Sequence, residues 1–307
     1  MVKTKLLKKA VAIVGPTAAG KTGLGVYIAE KFGGEIVSAD SRQIYRHLDL
    51  STGKDKKDYV TKTKGEKIPY HLIDILEPNE EFSSAEFQEK AFLAIDDILQ
   101  RKRLPLVVGG SPFYVYSVTE GWQFPKIKKD EKLRKKLEKM DLEDLKSLLV
   151  KIDPKAYEKI DQKNPRRLQR AIEICVLSGK SFEEAKPQSD PKYDFLFLGV
   201  TFPFPELKQR IEKRLKERIK EGMIEEVATI LESQKASPED LFKMGLEPRF
   251  ITYYLKKKIN KKELEELLIK NILSFARRQM NWFRKDERIK WVKNGREAEK
   301  IVNGFLN

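Results

Sequence analysis

Residues Gly15, Pro16, Thr17, Ala18, Ala19, Gly20, Lys21 and Thr22 spell GPTAAGKT, a complete G-x-x-x-x-G-K-[ST] phosphate loop. Such a loop turns successive backbone N–H groups and the positive end of the next helix toward a diphosphate. Lys21 adds a point charge, and the Thr22 hydroxyl can ligate Mg²⁺. The motif follows an apolar run, Ala10 to Val14, and opens an amphipathic stretch, Lys21 to Phe32, which is the strand-then-helix setting it requires. A glycine-rich turn without a ligand is the plainer alternative, and the motif does not say which diphosphate it holds. A second chemical group ends the next apolar run, EIVSAD. Ligands of open α/β sheets sit in the crevice beyond the carboxyl ends of the strands, which puts Asp40 beside the loop. Asp40 is therefore an acid–base candidate, with a helix N-cap and an outer contact to Mg²⁺ as equal alternatives.

A P-loop ATPase of the usual kind also needs an aspartate at a strand end to hold Mg²⁺ and a device to position water. The strand LPLVVGGS ends instead in Gly109, Gly110 and Ser111, with no carboxylate. A small-molecule kinase using Asp40 as base, with an arginine helix as lid and ATP in the loop, stays open on these residues.

These groups need a scaffold. Through residue 120 short apolar runs alternate with amphipathic stretches, which predicts a parallel sheet flanked by helices. Ser83 and Glu86 form a capping box, and Phe87, Ala91, Ile95, Ile98 and Leu99 share one face of the helix that follows. From about Trp122 to Tyr193 the chain is lysine-rich, helical and strand-free, with Pro154, Pro165, Pro187 and Pro191 near segment edges. Phe195 to Thr201, FLFLGVT, reads as a buried strand. Leu207, Ile211, Leu215 and Ile219 then begin a long helix, a last helix covers about 262–285, and Ile289 to Val292 is a short strand candidate. The expected fold is α/β: a P-loop NTPase-like core from 1–121 and 194–307, with an all-helical insertion at 122–193.

Around this framework the sequence resembles the tRNA dimethylallyltransferase (isopentenyltransferase, IPP transferase) family, whose hallmark is GPTxxGKT followed by D-S-x-Q. The D-S-x-Q element is Asp40-Ser41-Arg42-Gln43 here. The resemblance continues nearly end to end in STGK (51–54), YHLID (70–74), FSSAEFQ (82–88), VVGGS-x-x-Y (107–114), NPRRLQRAIE (164–173) and ARRQ-x-x-W (276–282). It implies transfer of a dimethylallyl group from dimethylallyl diphosphate to the exocyclic amine of the tRNA adenosine just 3′ of the anticodon. A departing diphosphate needs charge neutralisation and Mg²⁺ but no positioned water, which suits the missing pieces. By the same resemblance Asp40 takes the proton from the amine and Arg214 helps neutralise the diphosphate. Read alone, Arg214 is a solvated helix-face charge. Adenine sits in a stacked loop, so a base-flipping channel is expected; the resemblance implies that Asp40, Ser41, Arg42 and Gln43 wall it, with Ser111 also at the tRNA. The family more often carries threonine at that last position.

The net charge of +15 points to a polyanionic partner. Asn164 and Pro165 suit an N-cap and first helical position. Arg166, Arg167 and Arg170 then cluster away from Leu168, Ile172 and Val176, as a solvated face, a kinase lid or a grip on the tRNA backbone; the resemblance favours tRNA and adds Arg134. Arg277, Arg278 and Gln279 form a second tRNA-contact patch, with Trp282 and Phe283 expected in the core. In Met244 to Phe250, MGLEPRF, Pro248 stands where the family carries tyrosine, yet Arg249 is kept as a tRNA contact. A non-catalytic RNA-binding module is a third reading, which leaves the loop and Asp40 without purpose.

One cysteine, Cys175, excludes an internal disulfide framework and a Cys-rich zinc finger. It is expected as an inert core thiol. Two histidines, His47 and His71, are too few for a zinc site. No run approaches the roughly 18 apolar residues of a membrane span, and the apolar start is too short for a signal peptide. A cytoplasmic monomer is expected, with the tRNA anticodon stem-loop and dimethylallyl diphosphate as partners and no membrane or zinc.

Overall fold

The computed structural model describes residues 7–61, 63, 65–124, 130–185 and 188–307; Pro187 and the first six residues, part of the basic start, lie outside them. The chain divides into two compact units, Met1–Gly121 with Pro191–Asn307, and Trp122–Asp190. The first unit begins with β1 (Lys8–Val14), α1 (Lys21–Phe32), β2 (Gly34–Ser38), the short α2 (Asp49–Thr52), β3 (Tyr70–His71), α3 (Ser84–Gln100), β4 (Leu104–Gly109) and α4 (Pro112–Thr119). The second holds β5 (Trp122–Gln123), α5 (Glu131–Glu138), α6 (Leu142–Ile152), α7 (Pro154–Lys159), α8 (Pro165–Ser178) and β6 (Gln188–Ser189). The first unit resumes with β7 (Tyr193–Gly199), α9 (Phe204–Lys220), α10 (Met223–Glu232), α11 (Pro238–Met244), α12 (Leu246–Leu255), α13 (Lys261–Phe283), β8 (Lys290–Trp291) and α14 (Gly295–Leu306).

The sheet is wholly parallel in the order β3-β2-β4-β1-β7-β8. Its central strand, β1, is buried from Val11 to Val14 because it is covered on both faces and paired on both edges, as uninterrupted apolar runs in parallel sheets are. Val14 stands level with Gly109 of β4 and Gly199 of β7. The three strands thus end together beneath the phosphate loop. On α3, Ser83 and Glu86 form the capping box and Phe87, Ala91, Ile95 and Ile98 are buried. A second apolar cluster joins α9 through α13, with Leu207, Ile211, Leu215, Leu264, Leu268 and Ile272 in it.

Three features depart from the sequence expectations. The insertion is not strand-free, since Trp122 and Gln123 pair antiparallel with Ser189 and Gln188; a two-residue ladder leaves no periodicity to read. Tyr193, expected at the end of the insertion, opens β7 opposite Lys8 and donates its hydroxyl to Asp96 at 2.9 Å. Beyond β8 lies α14, which had no sequence expectation. Asn294 caps it by accepting from Glu297 N at 3.0 Å, and Ala298 and Val302 bury its inner face in the core cluster of the sheet.

In the second unit Leu137, Leu145, Leu149, Leu168, Ala171 and Ile172 form a separate small core. Cys175 is buried there, its Sγ 3.8 Å from Asp153 Oδ2. Burial, with that carboxylate's charge, pushes the thiol up, which makes it unreactive.

Candidate active site

The loop's backbone is set by close approach. A Cβ on Gly15 would lie 2.1 Å from the Val200 carbonyl oxygen, so the strand following the insertion forms the floor of the loop. Gly20 takes a left-handed conformation, φ 83°, to start α1, which glycine adopts without a steric penalty. Lys21 donates to the Pro16 carbonyl at 2.7 Å. Burial is the main cause that lowers its pKa to about 8; Arg214 adds to the shift and Asp40 opposes it. Thr22 hydrogen-bonds the phenol of Tyr59, itself 4% exposed.

Asp40 follows β2 on an Asx turn, its Oδ1 accepting from Arg42 N at 2.9 Å. The turn is held from both sides. Ser111 Oγ accepts from Ser41 N at 3.0 Å. Gln43 accepts from the Ser38 hydroxyl at 3.0 Å and donates to the Gly53 carbonyl at 3.0 Å, while Arg42 Nη1 donates to the Lys243 carbonyl at 3.0 Å. Ser111 and Gln43 thereby brace the wall that carries Asp40.

Opposite the loop, α9 presents Arg210, Arg214 and Arg218 at four-residue spacing, which puts them on one helix face. Arg214 donates to Asp55 at 2.6 Å and to the Gly53 carbonyl at 3.4 Å; Arg218 reaches Asp55 at 3.2 Å. Burial works against the charge of Asp55, but the two arginines outweigh it and hold its carboxyl below the ordinary value. Arg210 Nε donates to the Ala18 carbonyl at 3.1 Å. Glu247 borders the same space, its carboxyl pushed up by burial against the pull of Arg218, Arg214 and Arg42.

Lys21, Thr22, Asp40, Arg42, Arg214 and Glu247 are among the residues lining one cavity of about 480 Å³. Arg249 and Arg278 also border it; Arg249 donates twice to the Phe242 carbonyl, at 2.6 and 3.0 Å. Pro248 lies in the first turn of α12, where a helix has no use for its missing N–H, so replacement of a tyrosine there forfeits no helical hydrogen bond. Arg277 is exposed, its guanidinium 4.4 Å from the Phe204 ring centroid.

Gln279 was expected on the surface patch and is instead 3% exposed. Its carboxamide is turned inward to the loop, because residue 279 falls on the buried stripe of α13. Trp282 departs the other way: expected in the core, it is 42% exposed against Phe113, whereas Phe283 is buried. In the second unit Arg166, Arg167 and Arg170 are exposed along α8. Glu173 accepts from Arg134 at 2.6 Å and from Arg170 at 2.9 Å. Among the described residues no group of three His, Cys, Asp or Glu is placed to hold a metal, and no helix is long and apolar enough to cross a membrane.

Sequence reading missed Arg210, Arg218, Asp55, Tyr59 and Glu247. The four-residue spacing of the arginines beside Ile211, Leu215 and Ile219 was the available signal. The other three sit on loops or helix starts, where no periodicity acts.

The IPP transferase family model matches residues 43–286, and an isopentenyl transferase model matches 8–71. The chain belongs to the IPP transferase family. Family relatives named tRNA dimethylallyltransferase include one from Finegoldia magna, 39% identical over 96% of this chain and 94% of its own. Another, from Carboxydothermus hydrogenoformans, is 39% identical over 97% and 96%. Among solved family structures, the full-length tRNA isopentenylpyrophosphate transferase from Bacillus halodurans is 32% identical, with a TM-score of 0.70 over 97% of this chain and 95% of that one. A eukaryotic dimethylallyltransferase, described as captured acting on tRNA, is 26% identical with a TM-score of 0.81 over 97% and 79%. Between them the two matched stretches take in the phosphate loop, the Asp40 turn, the α9 arginines and Gln279.

Proposed function

We propose that this chain is a tRNA dimethylallyltransferase. It moves a dimethylallyl group from dimethylallyl diphosphate to the exocyclic amine of the adenosine 3′ of the anticodon. The observation that carries this reading is the single cavity shared by the phosphate loop, Asp40 and the α9 arginines; the names of the relatives support the acceptor and donor. The amine nitrogen bonds the allylic carbon as that carbon's bond to the diphosphate oxygen breaks, and the amine proton passes to the Asp40 carboxylate. Loop amides, Lys21 and Arg214 take up the charge gathering on the leaving diphosphate. Arg214 stays paired with Asp55, which aims its guanidinium. The Thr22 hydroxyl hydrogen-bonds the Tyr59 phenol and keeps oxygen lone pairs for a hard cation, so it is the residue that would hold Mg²⁺ here. When bound, that ion supplies further neutralisation of the leaving group.

Arg42, Arg249 and Arg278 at the cavity, with Ser41, Gln43, Ser111 and Arg277, form the tRNA side of this reading. Arg134, Arg166, Arg167 and Arg170 of the second unit supply backbone phosphate contacts. In this reading the enzyme acts as a monomer and works where tRNA is, in the cytoplasm. Incubation with unmodified tRNA and labelled dimethylallyl diphosphate, followed by nucleoside analysis, is expected to put label on one adenosine and release diphosphate. ADP release from ATP with a phosphorylated small molecule, and no label in tRNA, would establish the kinase instead.

The low pKa of Lys21 gives a pH signature. Above about 8 the ammonium is mostly discharged in the free enzyme, whereas a bound diphosphate favours the charged form. Affinity for dimethylallyl diphosphate is therefore expected to fall as pH rises through 8, by up to about tenfold per unit, with proton uptake on binding. Calorimetric titration at pH 9 in two buffers of different ionisation enthalpy measures that uptake; identical heats in both would refute it.

A further inference from the structure

The inward turn of Gln279 joins two walls of the cavity. Its Oε1 accepts from Thr17 N of the phosphate loop at 2.8 Å, and its Nε2 donates to the Gly110 carbonyl at 2.6 Å. One end meets only a donor and the other only an acceptor, so the carboxamide has one satisfied orientation. The fit is close: a Cβ on Gly110 would lie 2.4 Å from Gln279 Nε2 and 3.2 Å from Lys21 Nζ. The path continues through backbone. Ser111, next after Gly110, accepts from Ser41 N, the neighbour of Asp40, and a Cβ on Gly109 would lie 2.1 Å from the Ala39 carbonyl oxygen. Gln279 rides on a helix anchored by buried Leu264, Leu268, Ile272, Ala276 and Phe283, a stiff mount for a side chain with several rotors.

We propose that Gln279 is a positioning residue that clips the phosphate loop to the end of β4. It thereby sets the separation between the leaving diphosphate and the Asp40 carboxylate. This rests on the function proposed above. A displacement of about 1 Å between reacting groups costs about a hundredfold in rate, so the clip acts on donor binding and turnover while leaving RNA affinity alone.

Gln279→Leu removes both hydrogen bonds at similar size. It is expected to bind inorganic diphosphate and dimethylallyl diphosphate at least about tenfold more weakly and to lower kcat about a hundredfold. Its Kd for the anticodon stem-loop should stay within about twofold. Gln279→Glu gives a readout that does not depend on the folding of the leucine variant. Burial pushes a carboxyl at this place up, against the pull of the neighbouring Lys21 ammonium and the Thr17 N–H, and its protonated form can again donate to Gly110 and accept from Thr17. Its donor-affinity deficit against the wild type is therefore expected to narrow between pH 8.5 and 6.

A deficit that stays flat over that range overturns the clip. So does a Gln279→Leu chain with normal diphosphate affinity, and loss of stem-loop affinity alone would make Gln279 an RNA contact. If the wild type itself binds neither diphosphate nor the prenyl donor, the functional reading fails and the clip with it. If the wild type binds and the leucine variant binds equally, only the clip fails.

Discussion

Asp40→Asn is expected to lower single-turnover transfer by about 10²–10⁴-fold, the range for loss of a positioned general base. Stem-loop affinity should be unchanged. Asparagine keeps the oxygen that accepts from Arg42 N at 2.9 Å, so the turn and its Ser111 brace survive and only the proton acceptor is lost. Rapid-quench measurement with saturating donor and tRNA separates this from binding. A variant that transfers at the wild-type rate removes Asp40 from the chemistry.

The second large effect falls on stability. Lys54 has no exposed side-chain surface and pairs with Asp49 at 2.8 Å, with Asp74, and with the Tyr45 carbonyl. Lys56 joins the same two carboxylates from the more open side, at 2.8 and 2.6 Å. Lys54→Met strands part of that buried charge and is expected to cost about 3–5 kcal/mol. In a unit of this size that lowers Tm by roughly 10 °C, which differential scanning calorimetry reads directly. Activity should fall too, because Gly53 and Asp55 flank Lys54 and contact Gln43, Arg214 and Arg218. Asp49 gives the sign with pH: both lysines outweigh burial and hold its carboxyl below 3.8. The stability it contributes is thus present above that value and lost as pH falls beneath it. A Lys54→Met chain that melts with the wild type would show the cluster to be energetically idle.

The parts legible in the sequence are those whose chemistry is local. GPTAAGKT announces itself because its function lies in backbone N–H groups that only that glycine spacing exposes. Asp40 was legible because parallel strands end together at one edge. Gln279 was misread because its neighbours, Arg277 and Arg278, are polar and exposed. Counting from Leu264 through Leu268, Ile272 and Ala276 places residue 279 on the inward stripe. Trp282, about five turns beyond Leu264, falls at the edge of that stripe, and its 42% exposure is decided by what packs beside the helix end rather than by the period. Asp55 and Tyr59 owe their places to the 49–59 segment folding beside the loop, a tertiary event with no repeat to betray it. The helix from Gly295 escaped notice because two glycines interrupt a short pattern whose apolar face exists only against the core beneath it.

The pairing of β1 with both β4 and β7 has a consequence for biogenesis. Lys8–Val14 leaves the ribosome before both of its partners and can pair with β4 once Leu104–Gly109 has emerged, but its other edge stays bare until Tyr193–Gly199 follows. Some eighty residues separate the end of α4 from the end of β7. At translation speeds of about 5–20 residues per second, that leaves an apolar strand edge unpaired for on the order of ten seconds. During that interval the nascent chain is open to adventitious strand addition, and a holdase covering the Val11–Val14 edge would protect it until the floor beneath Gly15 arrives.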